Sequence, residues 1–132
     1  MKILALDYGA ARTGVAVTDA TGTIARPLDV VERAGSPAGL ARLRELVAEH
    51  AVELVVVGLP LTLRGERGDQ ARETEAFVEA LCGVLDVPVE TYDERFTTSL
   101  AAAAPSGSAP EDARAAAHLL QSYLAWTSAA NP

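Results

Sequence analysis

An α/β fold follows from three features of this sequence: a three-strand antiparallel meander and then two parallel strands, in a five-stranded mixed sheet with helices on both faces. Apolar runs at residues 2–8, 13–18 and 23–31 are separated only by short turns. After Ser36 the apolar spacing changes from two residues to a helical period. Two further apolar runs, at 53–58 and 87–92, then alternate with helical patterns, the sequence form of parallel strands joined by crossover helices.

The first run, Lys2 to Tyr8, ends in Asp7-Tyr8 and is closed by Gly9. The second alternates small and apolar residues up to Asp19, and Thr21-Gly22 marks the turn into the third. Pro27 has no N–H to donate, so the third run is predicted to be an edge strand. Ser36-Pro37 reads as an N-cap followed by the first helical residue, and Leu40, Leu43, Leu46 and Val47 carry the helix to about His50. Residues 53–58 (ELVVVG) are almost continuously apolar, as in a strand buried on both faces. A glycine-containing loop over 59–68 precedes a second helix from about Asp69 to Leu85, with Ala76, Phe77, Ala80, Leu81 and Val84 on its inner face. Residues 87–92 (VPVETY) lead directly into Asp93-Glu94-Arg95. A short helix is predicted over 97–104 and an uncharged linker over 105–110. The closing helix, over 111–126, turns Ala116, Leu119, Leu120, Tyr123 and Leu124 inward, and the tail after Trp126 is expected to fray.

The chain has 132 residues, of which 49% are apolar, enough for one core and one domain over residues 1–132. Eighteen acids against eleven bases give a net charge of −7. That balance excludes a polybasic coat protein, which binds by neutralising many phosphates, but not an enzyme whose site is a carboxylate cluster. A single cysteine, Cys82, excludes an internal disulfide and a thiolate zinc site; beside Leu81 and Val84 it is expected on a buried helix face. The two histidines, His50 and His118, are too few for a His-rich metal site, and neither is expected near the chemistry. No apolar run approaches the roughly 20 residues that span a bilayer, and charge appears too early for a signal peptide. A reduced, cytoplasmic setting without a membrane partner is expected.

The informative pattern is acids at strand ends. Asp7 closes the first strand, Asp93 and Glu94 follow the last, and Asp112 opens the final helix. Open α/β sheets gather ligands at the carboxyl ends of their strands, so these acids are expected on one rim. Hard oxygen donors there suit Mg²⁺ or Mn²⁺, and two such ions about 4 Å apart activate a water and stabilise the leaving oxygen in phosphodiester cleavage. Strand alternation sends Asp93 and Glu94 to opposite faces, and both remain candidates. Each acid alone has a plainer role: Asp112 complements a helix dipole, and Asp93 or Glu94 is a polar strand end. Asp7 is harder to dismiss, since an acid ending a buried strand must be paired or solvated. Asp19 and Asp69 read as turn and helix-cap residues. Arg12, Arg64, Arg67, Arg72 and Arg95 fall at the rim, where a guanidinium fork matches phosphate; Arg12 and Arg95 are the strongest of these, and Arg72 is kept with them.

Four segments carry a resemblance. Met1 to Gly9 continuing through Arg12-Thr13-Gly14-Val15-Ala16-Val17-Thr18-Asp19, Val55-Val56-Val57-Gly58-Leu59-Pro60-Leu61 with the following Gly65, Gly68, Asp69, Gln70, Ala71 and Arg72, Asp93-Glu94-Arg95-Phe96-Thr97-Thr98, and Asp112-Ala113 through Leu124 resemble, in order, the motifs of the YqgF family, also called RuvX. The resemblance implies an RNase H-like nuclease domain and a metal-dependent nuclease acting in pre-16S ribosomal RNA processing and ribosome biogenesis, or a Holliday junction resolvase. It implies Asp7, Glu94 and Asp112 as catalytic, metal-binding carboxylates, with Asp93 a fourth candidate, and Mg²⁺ or Mn²⁺ as cofactor. Thr97 and Thr98 would cap the next helix or touch phosphate, Gly9 and Gly14 would sit where backbone approaches substrate or a neighbouring strand, and Gly58-Leu59-Pro60 would shape the loop over the site. Members carry a longer, often basic stretch before the last aspartate, whereas Pro105 to Pro110 here is short and uncharged, so weaker or partner-dependent nucleic-acid affinity is expected.

Three function classes compete. A nuclease on nucleic acid, RNA before DNA, would act as a monomer or homodimer, with a pre-ribosomal particle as a partner. A nucleotide-binding module of the actin and sugar-kinase type shares an Asp-x-Gly hairpin like Asp7-Tyr8-Gly9, but builds its cleft from two domains. A non-catalytic ribosome or repair adaptor would not need the acids at all.

Overall fold

The N-terminal runs form strands β1 (Ile3–Asp7), β2 (Arg12–Thr18) and β3 (Ala25–Glu32) in a computed structural model that describes residues 1–61, 64, 66, 68–94 and 110–130. Helix α1 (Pro37–Glu49), strand β4 (Leu54–Leu59), helix α2 (Asp69–Val84), strand β5 (Val89–Asp93) and helix α3 (Glu111–Ala130) follow. The sheet order is β3-β2-β1-β4-β5. The first three strands are antiparallel, and β4 and β5 run parallel to β1, as the spacing predicted. Pro27 lies in the edge strand β3, and the register jumps there: Val15 faces Asp29 while Ala16 faces Pro27, so Leu28 bulges out of the ladder where proline cannot donate. Ser36 caps α1, its Oγ accepting from the Gly39 N–H at 3.1 Å. Asp19 holds its turn by accepting from Thr23 and Ile24 N–H groups, and Gly22 takes the positive φ the turn needs.

Alternation splits the core into two layers. Leu4, Leu6, Val15, Val17, Val55 and Val57 pack with Leu43 and Leu46 of α1 and Phe77 and Leu81 of α2. Ile3, Ala5, Ala16, Leu54, Val56 and Tyr92 pack with Ala116, Leu119, Leu120 and Tyr123 of α3. Central strands β1 and β4 are thus covered on both faces, which is why they read as unbroken apolar runs. Small residues on the α3 side bring that helix close: Gly14 lies directly beneath the Asp112 carbonyl, where any Cβ would overlap it.

Several expectations need correction. Cys82 is exposed, because the inward stripe of α2 is Ala71, Thr74, Phe77 and Leu81 and the next residue is rotated about 100° away from it. Ala76 is exposed for the same reason. Gly68, not Asp69, is the N-cap of α2, and Asp69 opens its first turn. Helix α3 continues to Ala130 rather than fraying after Trp126. The helix predicted over 97–104 lies outside the described residues. Among the described residues no helix is long and apolar enough to cross a membrane.

Candidate active site

The two-layer packing decides where each acid points. Asp7 continues the Ile3–Ala5 side of β1 and so projects over the α3 face. Tyr92 packs against α3, and Glu94, two residues on, shares its side, whereas Asp93 alternates away. The structure therefore brings Glu94 to Asp7, and the two carboxyls share a hydrogen bond. Strand β4 lies between β1 and β5, so the two acids arise from backbones roughly 10 Å apart. The long Glu94 side chain spans that gap over Gly58, where an added Cβ would stand 2.6 Å from Glu94 Oε1 and 3.0 Å from its Cγ.

Burial is the largest influence on both groups. The Glu94 carboxyl is pushed up to about 7 by desolvation, then by the Asp7 charge, by donating its hydrogen bond to Asp7, and by Asp93. Asp7 is also raised, by desolvation first and by the Asp112 charge, against the lowering effect of the Glu94 hydrogen bond. Below about pH 7 the pair shares a proton between two carboxyl oxygens.

Asp112 stands in the first turn of α3, near enough for its charge to raise Asp7. Its carboxylate faces Arg12, with Nε to Oδ2 3.2 Å. Among the described residues no group of three His, Cys, Asp or Glu side chains stands in metal-holding geometry; Asp112 is turned to the arginine. The donor chemistry nevertheless fits a hard divalent cation, since two like carboxylates held together by a proton are oxygen ligands whose repulsion a cation would relieve.

Two hollows flank the pair. One, of about 260 Å³, is lined by Asp7, Glu94, Gly9, Pro60, Gln70 and Thr74, among others. The second, also about 260 Å³, is lined by Asp7, Glu94, Ala115, His118 and Leu119. His118 thus stands beside the two carboxyls, although no suitably placed histidine is expected from the sequence. His118 follows Asp112 and Ala115 along one i, i+3 ridge of α3, a signal the sequence carried, and its Nε2 is buried without a hydrogen-bond partner among the described residues. Sequence reasoning also missed Gln70, Glu73 and Thr74, which α2 presents to the cleft. Arg72 pairs instead with Asp69 at 3.7 Å on the exposed side of α2, and Arg64 is exposed. Arg67, Arg95, Thr97 and Thr98 lie outside the described residues.

Known proteins bear on this arrangement. The sequence pattern of the RuvX family, described as "Holliday junction resolvase", matches residues 1–126. A Chloroflexus aggregans protein named "Putative pre-16S rRNA nuclease" is 49% identical over 96 residues, 73% of this chain and 68% of that protein. The matches to two proteins of the same name from Chloroflexus aurantiacus span 63% of each. A Syntrophomonas wolfei protein of that name is 38% identical over 94% of both chains. Among solved structures, "T. thermophilus RuvC in complex with Holliday junction substrate" superposes with a TM-score of 0.70 at 19% identity, over 99% of this chain and 96% of that one. The structure titled "Thermus thermophilus RuvC structure" gives a TM-score of 0.69 at 17% identity, over 98% and 97% of the two chains. At such identity the likeness is one of fold, and the fold is RNase H-like. Four motifs in order, a family pattern over nearly the whole length and relatives at 38–49% identity agree: the chain belongs to the RuvX family.

Proposed function

We propose that this protein is a metal-dependent nuclease that hydrolyses phosphodiester bonds, acting in the cytoplasm on the 5′ end of precursor 16S rRNA. The observation that carries the reading is the Asp7–Glu94 pair, two carboxyls from separate strands gathered at the carboxyl end of the sheet with Glu94 pushed up to about 7. The names of the relatives favour precursor rRNA as substrate.

In this reading Asp7, Glu94 and Asp112 hold Mg²⁺ or Mn²⁺, with Asp93 a further candidate. Two divalent ions held there would supply charge neutralisation at the scissile phosphate and make water acidic enough to attack it. Glu94 must give up the proton it shares with Asp7 before the pair is a full ligand, so occupancy rises with pH through about 7. Arg12, now spent on Asp112, is the cation positioned to exchange that partner for a phosphate oxygen. Gly58 keeps the path of the Glu94 side chain open.

The family description favours a second substrate, the four-way DNA junction; two symmetric cuts would then require a two-fold dimer. The test is cleavage of labelled single-stranded RNA, a precursor rRNA fragment and a four-way DNA junction, each with EDTA, Mg²⁺ or Mn²⁺, beside Asp7→Asn. The expected result is metal-dependent cutting of the precursor RNA that Asp7→Asn loses while staying folded. Cutting of the junction alone replaces the RNA reading with the resolvase one. No cutting of any substrate by folded protein leaves the adaptor.

A further inference from the structure

Beyond the carboxylates, a third hollow opens off the cleft. It measures about 290 Å³ and is walled by Tyr8, Gly35, Glu73, Ala76, Phe77 and Ala80. Tyr8 and Glu73 line both this hollow and the cleft that holds Asp7 and Glu94, so the two spaces meet. We infer that this hollow is a nucleobase subsite, which seats a base next to the scissile phosphate at the Asp7–Glu94 site and favours bases carrying an amino group; the inference rests on the nuclease reading above.

Three observations set the ligand class. The walls are apolar and aromatic: Tyr8 stacks on Phe77 with ring centroids 4.4 Å apart and planes inclined by 23°, a platform of the kind on which bases stack. Among the described residues the one charged wall residue is Glu73, an anion, which repels a phosphate but accepts hydrogen bonds from the amino groups of cytosine, adenine or guanine. Gly35 leaves the space open, since a Cβ there would make ordinary contacts, 3.8 Å from Phe77 Cδ1 and 3.9 Å from the Tyr8 hydroxyl. A Cβ at Gly35 thus meets no backbone within 4 Å, and a larger side chain there is expected to occupy the hollow that Gly35 helps to wall.

The test uses the full chain and single-stranded RNA decamers carrying one 2-aminopurine, a base whose fluorescence is quenched when it stacks. Ca²⁺ replaces Mg²⁺ so that binding is read apart from cutting. Wild type should quench the probe. Tyr8→Phe should retain quenching, whereas Tyr8→Ala should lose it and weaken binding about 10-fold or more, the order expected for one stacked base. Because Tyr8→Ala also removes packing on Phe77, Gly35→Leu is the decisive variant: it should abolish quenching with an unchanged melting temperature. Glu73→Gln should reduce the preference for oligo(A) and oligo(C) over oligo(U). Quenching that persists in folded Gly35→Leu and Tyr8→Ala overturns the subsite. Loss of metal-dependent cleavage in the companion assay, with quenching intact, overturns the nuclease reading instead.

Discussion

Glu94 shows how one residue position depends on what is missing beside it. Gly58 has no side chain, and the Glu94 carboxyl occupies that space on its way to Asp7. Gly58→Ala should displace the carboxyl, crowd the buried Leu119 Cδ2 at 3.0 Å and lower kcat by about 100-fold, with a modest loss of thermal stability from that contact; steady-state cleavage beside a melting curve checks this. The same pair predicts a pH effect on stability in EDTA. Glu94 is raised from its ordinary 4.5 to about 7 in the folded protein, so the folded state keeps a proton that the unfolded state has released. Its contribution is full below about 4.5 and is lost as pH rises to about 7. The difference in melting temperature, Glu94→Gln minus wild type, should therefore grow across that window and reach roughly 2–5 °C at pH 8, while the variant cleaves nothing. A constant difference from pH 4 to 8 would count against the shared proton. That Asp7 and an acid after β5 would share one rim was legible from strand-end positions; strand alternation left Asp93 and Glu94 both open, the family resemblance named Glu94, and the face that each acid takes is set by where α3 packs.

At the scale of elements, α3 is the part whose placement makes the site. It delivers Asp112 to Arg12 and His118 to the hollow beside Asp7. Its approach depends on Gly14, where the Asp112 carbonyl fills the space of a Cβ. Gly14→Ala should lift the start of α3 and cost about 3 kcal/mol, the upper range of core overpacking, together with most activity. Gly83, in the last turn of α2, meets nothing within 4 Å, and Gly83→Ala should stabilise by about 0.5 kcal/mol through helix propensity. Urea unfolding of the two variants gives opposite signs if this account holds. Element order was readable because apolar period and cap chemistry are local: Ser36-Pro37 opened α1 as expected. Which stripe of α2 faces inward was misread at Ala76 and Cys82, because adjacent small residues make several stripes nearly equivalent until Thr74 and Phe77 are seen against the sheet.

For the molecule as a whole, charge opposes substrate. A net charge of −7 gives no general attraction for a polyanion, so binding must come from a few local contacts. Arg12 stands at the site, and Arg64, Arg72 and Arg95 are expected at the rim from the sequence, so with three or four of them engaged the slope of log Kd against log salt for single-stranded RNA should have a magnitude of about 2 to 3, at roughly 0.7 per neutralised phosphate. Arg12→Ala should lower that magnitude by about one such contact. A magnitude above 5 would reveal a basic surface that the composition does not suggest.

The sequence by itself determined the strand meander, the parallel pair, the edge position of β3 and the family, because periodicity, Pro27, helix caps and contiguous motifs are written in neighbouring residues. It also singled out Asp7, an acid at the end of a buried strand. Only the tertiary structure brought the Glu94 carboxyl against Asp7, turned Asp112 toward Arg12, exposed Cys82 and joined Tyr8 and Glu73 across two hollows. Each of those outcomes depends on which face of a strand or helix meets its neighbour, and on the gap left at Gly14, Gly35 or Gly58. Such contacts link residues far apart in the chain, and no local pattern encodes them.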